Sequence, residues 1–277
     1  MDNLSIPGSG EATSASGSAK ALVKGLALVH VVATRDAPVR LGDLVEASGL
    51  PRPTVLRLLD VLLEQGLLQP AADGVFALGP RLAVWGQRYL DGLDVRVHAE
   101  DLMRALAEQT RETCFLGLRD DRSVLYIAKA DSPQAVRPAA RIGTRNPLHC
   151  TGIGKALLAF APPEAPFAYA DRTLEAKTPN TIVDPAALAA EMEAIRARGY
   201  AIDNVENEDG VRCVAAPIRD HAGEVVAALS VSAPAYRFAL EDLPALAPDV
   251  LAVTQELSSR IGYREPVSDD TSPRGRT

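Results

Sequence analysis

The sequence predicts an α+β protein made of an N-terminal winged helix-turn-helix, a linker helix and a C-terminal domain of strands and helices. Two observations carry this prediction. Three helical segments are followed by a pair of short strands around Asp73-Gly74, a strong β-hairpin signal. Beyond residue 92, helices flank several strands with apolar runs, a pattern typical of an antiparallel α+β domain.

The first helix is expected to begin at the N-cap Ser18 and to present one apolar stripe, whose members recur at helical spacing: Leu22, Leu26, Val29 and Ala33. Both chain ends are polar and are expected to be disordered. The predicted segments in chain order are a tail, the winged helix-turn-helix domain, the linker helix, the C-terminal domain and a second tail: 1–17, 18–80, 81–91, 92–262 and 263–277.

A helix-turn-helix is predicted by two short helices around a tight turn. Leu41–Ser48 reads as a helix, and Gly49 supplies the left-handed backbone of the turn. The next helix begins near Pro51, where proline is tolerated because first-turn amides have no intrahelical acceptor. Strands are expected at residues 67–69 and 75–78, so a wing hairpin follows the helices.

The N-terminal turns of the third helix carry side chains suited to reading DNA. Arg52 and Arg57 can bind guanine bidentately, and Thr54 can contact a thymine methyl or a phosphate. Further cations are candidates for phosphate contacts, which position a protein on the duplex: Lys24, Arg40 and Arg81. The alternative is a helical bundle whose charges are merely solvated.

Charge and composition limit the functions that the sequence allows. The net charge is −7, yet residues 1–90 carry eight basic and eight acidic side chains, so the acidity lies in the remainder. The three cysteines fit neither a disulfide framework nor a C-x-x-C metal pattern. With no secretory signal or membrane-spanning apolar run recognised, we expect a cytoplasmic protein that needs no metal and no cofactor and contacts no membrane.

A small-molecule pocket is predicted around the helix that starts at Thr151. This residue can cap the helix, and Gly152 allows an anion such as a carboxylate to approach the free amides. Ser230 and Ser232 lie two apart on a strand and share one face. The plainer alternatives are tight packing of the helix and serines bonded to the backbone. A nucleotide loop is not expected, since Ala156 follows the G-x-G-K string.

Several long segments in order resemble the IclR family of bacterial regulators over about residues 18–262. They are LPRPTVLRLLDVLLEQGLL, DGVFALGPRL, NPLHCTGIGKALLA, RARGYAIDNVENEDGVRCVAAPI and AALSVSAPAYR. The resemblance implies homodimers or homotetramers on a pseudo-palindromic operator in double-stranded DNA, and a GAF-like effector domain. It places the effector pocket at Gly152, Ile153, Asp203, Cys213, Ser230 and Ser232, and Leu148 and His149 are expected to line the approach.

The sequence departs from the family pattern in three places. The wing reads Gly74-Val75-Phe76-Ala77-Leu78-Gly79, without the arginines that family wings often carry. Pro53 stands where a serine is common, which puts more of the readout on Thr54 and Arg57. Ile153 replaces a residue that is often alanine or leucine, so we expect a narrower pocket mouth.

The function expected is therefore a DNA-binding regulator, not an enzyme, whose operator binding responds to a small carboxylate-bearing effector. Two alternatives stay open. An enzyme would use Cys213 or His149 as the reacting group, although no nucleophile–base–orienter set is evident. A sensing module with a decayed DNA-binding role would explain the bare wing. Metal binding by His149 and Cys150 is not expected, because adjacent side chains point apart.

Overall fold

A computed structural model describes residues 17–35, 37–91, 94–161 and 174–264. The chain divides into two compact units, Met1–Gly92 and Leu93–Thr277. The first helix already begins at Gly17, and the remainder of the predicted N-terminal tail lies outside the described residues. So does the predicted C-terminal tail beyond Arg264.

The N-terminal unit contains the predicted three helices, hairpin and linker helix. Its elements are α1 (Gly17–Thr34), β1 (Val39–Arg40), α2 (Leu41–Ser48), α3 (Arg52–Glu64), β2 (Leu68–Pro70), β3 (Val75–Leu78) and α4 (Pro80–Asp91). The strands form an antiparallel sheet in the order β1-β3-β2. Strand β1 was not predicted from the sequence, because two residues are too short to show a period.

Helix α1 buries a different face from the one its spacing predicted. Leu28 and Val31 lie in the core, whereas Leu22 and Leu26 are 64% and 52% exposed. The stripe prediction was wrong because apolar residues occur on several faces of this helix, so that its own spacing does not select one. Contact with α2, α3 and β3 decides which face is covered.

The turn between α2 and α3 forms as the sequence predicts. Gly49 has a φ of 63° and donates its N–H to Val45 O at 3.1 Å, which ends α2 with a left-handed cap. Leu44 from α2 and Val55 and Leu59 from α3 are fully or almost fully buried and hold the two helices together. The opposite side of the N-terminal turns of α3, which carries Arg52 and Arg57, therefore stays outside the core.

The C-terminal unit is built on one six-stranded antiparallel sheet in the order β6-β5-β4-β9-β8-β7. Its elements are α5 (Asp94–Thr110), β4 (Thr113–Asp120), β5 (Ser123–Ala130), β6 (Arg145–Pro147), α6 (Gly152–Ala159), α7 (Pro185–Arg198), β7 (Ala201–Asn204), β8 (Val211–Arg219), β9 (Val225–Pro234) and α8 (Leu243–Arg260). The three-residue strand β6 was missed by the sequence analysis for the same reason as β1.

Two helix pairs pack on this sheet. Helix α6 contacts α7 and lies over strands β7, β8 and β9, and one core cluster joins them through Ile153, Leu157, Met192 and Ala215. Helices α5 and α8 contact each other and pack on β4, β5 and β8. Because α6 is short and buried along its whole length, its N-terminus lies directly on the strands.

We expect Gly79→Ala to destabilise the N-terminal unit by about 2–3 kcal/mol, because overpacking against rigid backbone forces the chain to move. A Cβ at this position would lie 2.1 Å from Gly66 O. Gly42→Ala is the matched control, since nothing lies within 4 Å of its Cβ position. The control should be neutral or stabilise helix α2 by up to about 1 kcal/mol. Thermal unfolding of both variants tests this, and equal midpoints would contradict it.

Candidate functional site

The N-terminal half of α3 presents a compact basic surface. Its first turn is fixed by Pro51, whose carbonyl accepts the N–H of Thr54 at 2.8 Å. Arg52 and Arg57 are exposed, and Thr54 is half-buried between them. Within the described parts of the chain, neither guanidinium group forms an ion pair. Both are therefore available to an external anion or base edge.

The three candidate phosphate-binding cations occupy different elements of the same unit. Lys24 is exposed on α1. Arg40 lies on β1 opposite Val75 in the sheet register, so a cation lies beside a wing strand that itself carries none. Arg81 donates from Nη1 to Gln65 Oε1 at 2.8 Å, which ties the start of α4 to the end of α3. The sequence predicted Arg40 as a phosphate-contacting residue, but its position beside the wing follows only from the strand pairing.

The predicted cap of α6 is present. Thr151 Oγ1 accepts the N–H of Gly154 at 3.0 Å, and Thr151 O accepts the N–H of Lys155 at 2.8 Å. The N–H groups of Gly152 and Ile153, at the first two helical positions, have no intrahelical acceptor. This helix end therefore offers two amide donors and the positive end of a helix dipole to an anion.

A row of polar side chains crosses the sheet beneath this helix end. Asp203, Cys213 and Ser232 are direct register neighbours on β7, β8 and β9. Ser230 lies two residues before Ser232 on β9 and on the same face, with its Oγ 3.3 Å from Ser232 Oγ. An ideal Cβ on Gly152 would be 3.3 Å from Cys213 Cβ and 3.7 Å from Asp203 Cβ. Glycine thus lets the amides approach the row closely.

These residues line one narrow pocket. Seven of the eight predicted effector residues belong to it: Thr151, Gly152, Ile153, Asp203, Cys213, Ser230 and Ser232. Leu148 does not line it and is fully buried in the core beside α6. The sequence analysis missed other lining residues, among them Phe115, Tyr126, Asn146, Asn207 and Glu208. The cavity is small, with a volume of about 30 Å³, whereas a single water molecule needs about 10–15 Å³ on this measure.

A buried ion pair lies next to the pocket. Lys155, only 1% exposed, places Nζ 2.5 Å from Glu206 Oε1 and 3.4 Å from Glu191 Oε1. Burial raises the pKa of the Glu206 carboxyl, and the Lys155 ammonium opposes that rise. Lys155, the lysine of the G-x-G-K string, therefore forms an ion pair with a carboxylate of a neighbouring loop. No sequence signal identified this partner, which lies 51 residues further along the chain.

Among the residues that the structure describes, Asp203 has no Lys or Arg side chain as an ion-pair partner. Its Oδ1 accepts the N–H of Glu206 at 2.7 Å, and its side chain is almost fully buried. Burial raises the pKa of the Asp203 carboxyl to about 7, helped by the nearby Glu206 charge and opposed by the N–H bond and Lys155. This carboxyl group therefore changes its charge near neutral pH.

The cysteines near the pocket are held as thiols. Burial raises the pKa of Cys150 to about 12 and that of Cys213 well above its usual value, and the Asp203 charge adds to both shifts. Thiolates are the nucleophilic form of cysteine, so these environments disfavour covalent chemistry. His149, the other candidate reacting group, contacts Glu175 O through Nε2 at 3.0 Å.

Comparison with known proteins identifies the two units. The IclR helix-turn-helix domain matches residues 21–71, and the bacterial transcriptional regulator IclR C-terminal domain matches residues 87–259. The chain belongs to the IclR family. The family resemblance inferred from the sequence is thereby confirmed, and so is the fold class of a helix-turn-helix followed by an α+β domain.

Individual IclR-family relatives are similar over most of the chain. The regulator BhcR of Paracoccus denitrificans is 35% identical over 252 residues, or 90% of each protein. The regulator KdgR of Escherichia coli is 34% identical over 225 residues, 80% of this chain and 86% of that protein. These relatives are transcriptional regulators with DNA-binding domains, and none of these names denotes an enzyme.

Solved IclR-family structures share the fold. Thermotoga maritima IclR has a TM-score of 0.73 and 32% identity, covering 88% of this chain and all of that one. An IclR homologue from Microbacterium hydrocarbonoxydans, complexed with 4-hydroxybenzoate, has a TM-score of 0.77 and 25% identity, covering 87% and 98%.

The described residues were also compared with the requirements of a membrane-spanning helix and of a metal site. Across 17–35, 37–91, 94–161 and 174–264, no helix is long and apolar enough to cross a membrane. The same ranges hold no group of three His, Cys, Asp or Glu side chains placed to bind a metal.

We expect Lys155→Met to destabilise the C-terminal unit by about 3–5 kcal/mol at pH 8, because it leaves the Glu206 carboxylate buried and unpaired. Arg145→Gln is the control. It removes an exposed pair of the same 2.5 Å length with Asp120, which is worth at most about 1 kcal/mol. Urea unfolding measures both. A loss for Lys155→Met no larger than that of the control would show that the buried pair contributes little.

Proposed function

We propose that this IclR-family protein binds a pseudo-palindromic operator as a homodimer or homotetramer, and that a small organic acid in the α6 pocket changes that binding. The observation that carries the DNA-binding part is the exposed N-terminal half of α3, with Arg52 and Arg57 unpaired within the described residues. Relatives that cover most of the chain are HTH-type transcriptional regulators.

The reading helix works through few contacts. In the helix-turn-helix mode, outward side chains of the second helix meet base edges in the major groove. Arg52 and Arg57 would read guanine, and Thr54 would contact a methyl group or phosphate. Lys24, Arg40 and Arg81 would position the domain on phosphates. Since the wing strand carries no arginine, we expect a shallower salt dependence than a wing with two phosphate contacts would give.

A second copy of the chain is the proposed occupant of the exposed apolar surface of the N-terminal unit. On α4, Trp85 and Tyr89 are 53% and 52% exposed and share one helix face. On α1, Leu22 and Leu26 are exposed as well. A two-fold assembly through such faces would present two α3 helices to the two half-sites of a pseudo-palindrome.

The pocket chemistry favours a small acid as effector. The amides of Gly152 and Ile153 would bind a carboxylate, and the hydroxyls of Ser230 and Ser232 would bind a hydroxyl or carbonyl oxygen. The cavity measures about 30 Å³ and Ile153 lines it, so acids of a few carbons, which need less further opening, are favoured over aromatic acids. The 4-hydroxybenzoate of the Microbacterium homologue supports an acid ligand at the class level.

Regulation requires that the acid bind one arrangement of the assembly better than another. Helix α4 and the residues after it join the two units, so a change in the effector domain would reach the DNA-binding domain through them. The spacing of the two α3 helices would then shift relative to the half-sites.

Arg57→Ala should lose about 10- to 100-fold in affinity for an operator enriched from random DNA with the wild-type protein, while staying folded. A bidentate arginine–guanine contact supplies discrimination of about 1–3 kcal/mol. Fluorescence anisotropy at fixed salt measures the Kd. Arg104→Ala, an exposed arginine of the C-terminal unit, is the control and should bind as wild type does. If Arg57→Ala bound the operator with wild-type affinity, the assignment of α3 as the base-reading helix would be wrong.

Glycolate and pyruvate should raise the melting temperature of the protein more than 4-hydroxybenzoate does at equal concentration. A ligand at 100 times its Kd adds about 2.7 kcal/mol of stability. Ser232→Ala should lose most of the shift, because the variant lacks a hydroxyl that lines the pocket. Ser123→Ala, at the first residue of β5 and outside the pocket lining, is the control and should keep it. A larger shift with 4-hydroxybenzoate would show that the pocket opens for aromatic acids.

A further inference from the structure

The cations next to the pocket are paired with carboxylates other than Asp203. Lys155 pairs with Glu206, and Arg198 Nη2 pairs with Glu191 Oε1 at 2.8 Å. Lys177 pairs with Glu175 at 2.9 Å. Asp203 is a further carboxyl group in the same neighbourhood, and none of these cations forms an ion pair with it.

The contacts of Asp203 are with neutral groups. Its carboxyl accepts the backbone N–H of Glu206 at 2.7 Å and also that of Asn207, and the Cys213 thiol donates to Oδ2 at 3.9 Å. Among the residues that the structure describes, no cation lies within ion-pair distance of this carboxyl, which is 3% exposed. An ionised carboxylate is costly in such a place, and taking up a proton removes most of the cost.

The anion-binding amides lie beside this carboxyl. The Cβ position of Gly152 is 3.7 Å from Asp203 Cβ, so an acid bound at the N–H groups of Gly152 and Ile153 would contact the Asp203 side chain. Two carboxylates that share a buried site do not both ionise, and one proton is held between them.

We propose that the pocket takes up its acid effector together with one proton, which Asp203 holds and donates as a hydrogen bond to the ligand. This inference rests on the proposed function and adds its regulation: the protein responds to the acid more weakly as the surrounding pH rises. It also assigns Asp203 as a donor to the ligand, whereas an ionised aspartate could only accept.

Four other titratable groups around Asp203 do not supply this proton. Burial keeps the pKa values of Cys213, Cys150 and Tyr126 high, so all three stay protonated through neutral pH. The ion pair with the Lys155 ammonium holds Glu206 as a carboxylate. Glu208 is the remaining acidic side chain of the pocket lining.

The test measures binding of glycolate, pyruvate and 4-hydroxybenzoate to the full-length protein between pH 5.5 and 8.5 by calorimetry. These acids are ionised throughout that range. For an acid that binds, the Kd should be nearly constant below pH 6 and should rise about tenfold per pH unit above 7.5. Titrations at pH 8 in two buffers of different ionisation enthalpy should show uptake approaching one proton per ligand.

Three variants separate Asp203 from its neighbours. In Asp203→Asn, an amide replaces the protonated carboxyl as donor, so the Kd should become independent of pH and proton uptake should vanish. Ser230→Ala should bind more weakly at every pH with the wild-type pH profile. His149→Asn is the second control, because histidine is a side chain that exchanges protons near neutral pH, and it should also keep that profile.

The outcomes distinguish the two proposals. Binding with a Kd that varies less than threefold over the range, or a wild-type pH profile in Asp203→Asn, would overturn the proton coupling and leave the acid effector standing. Failure of all three acids to bind at pH 5.5 would overturn both.

A ligand-free measurement provides an independent check. The pKa of an aspartate is about 3.9 in the unfolded chain and about 7 for folded Asp203. The folded state therefore binds the extra proton between these values. The stability of the wild type relative to Asp203→Asn should fall as the pH rises from 4 to 7 and level off above. A pH-independent difference would show that Asp203 holds no proton.

Discussion

The close approach of helix α6 to the sheet is the constraint on which the effector domain depends. Gly154 must be glycine, because a Cβ there would lie 2.2 Å from Leu148 O and 2.5 Å from Thr151 Oγ1. A Cβ on Gly152 would lie 3.3 Å from Cys213 Cβ on strand β8, which is tighter than an ordinary contact. Because the first helical turn lies so near the strands, two free amides meet the Asp203–Cys213–Ser232 row. The pocket is a consequence of that packing.

The same approach buries a charge that the chain must neutralise. Lys155 points from α6 into the interior, and Glu206 reaches it from the loop between β7 and β8. That loop holds Val205 at a φ of 59°, an unfavourable backbone for a β-branched residue. Hydroxyls of Thr178 and Thr181 bind the carbonyls of Val205 and Glu206, each at 2.6 Å, and so fix the loop. Burial, ion pair and loop conformation therefore stabilise one another.

The DNA-binding unit depends on position more than on charge. Residues 1–90 carry eight basic and eight acidic side chains, so no strong positive field draws this part of the chain to DNA. The packing of α2 against α3 instead turns Arg52 and Arg57 outward at one helix end, without carboxylate partners in the described chain. The wing strand carries no basic side chain. Arg40, which the β1–β3 pairing brings beside Val75, partly compensates for this lack of positive charge.

The sequence by itself determined the order of the helices and longer strands, the helix-turn-helix, the α6 cap and seven of the pocket residues, because these depend on local spacing, turn chemistry and family resemblance. Tertiary structure decided the rest. Which face of α1 is buried, the pairing of Lys155 with Glu206 and the place of Leu148 in the core depend on elements distant in the chain. Asp203 shows the difference most clearly: its position was predictable, but its affinity for a proton comes from burial beside cations already taken by other carboxylates.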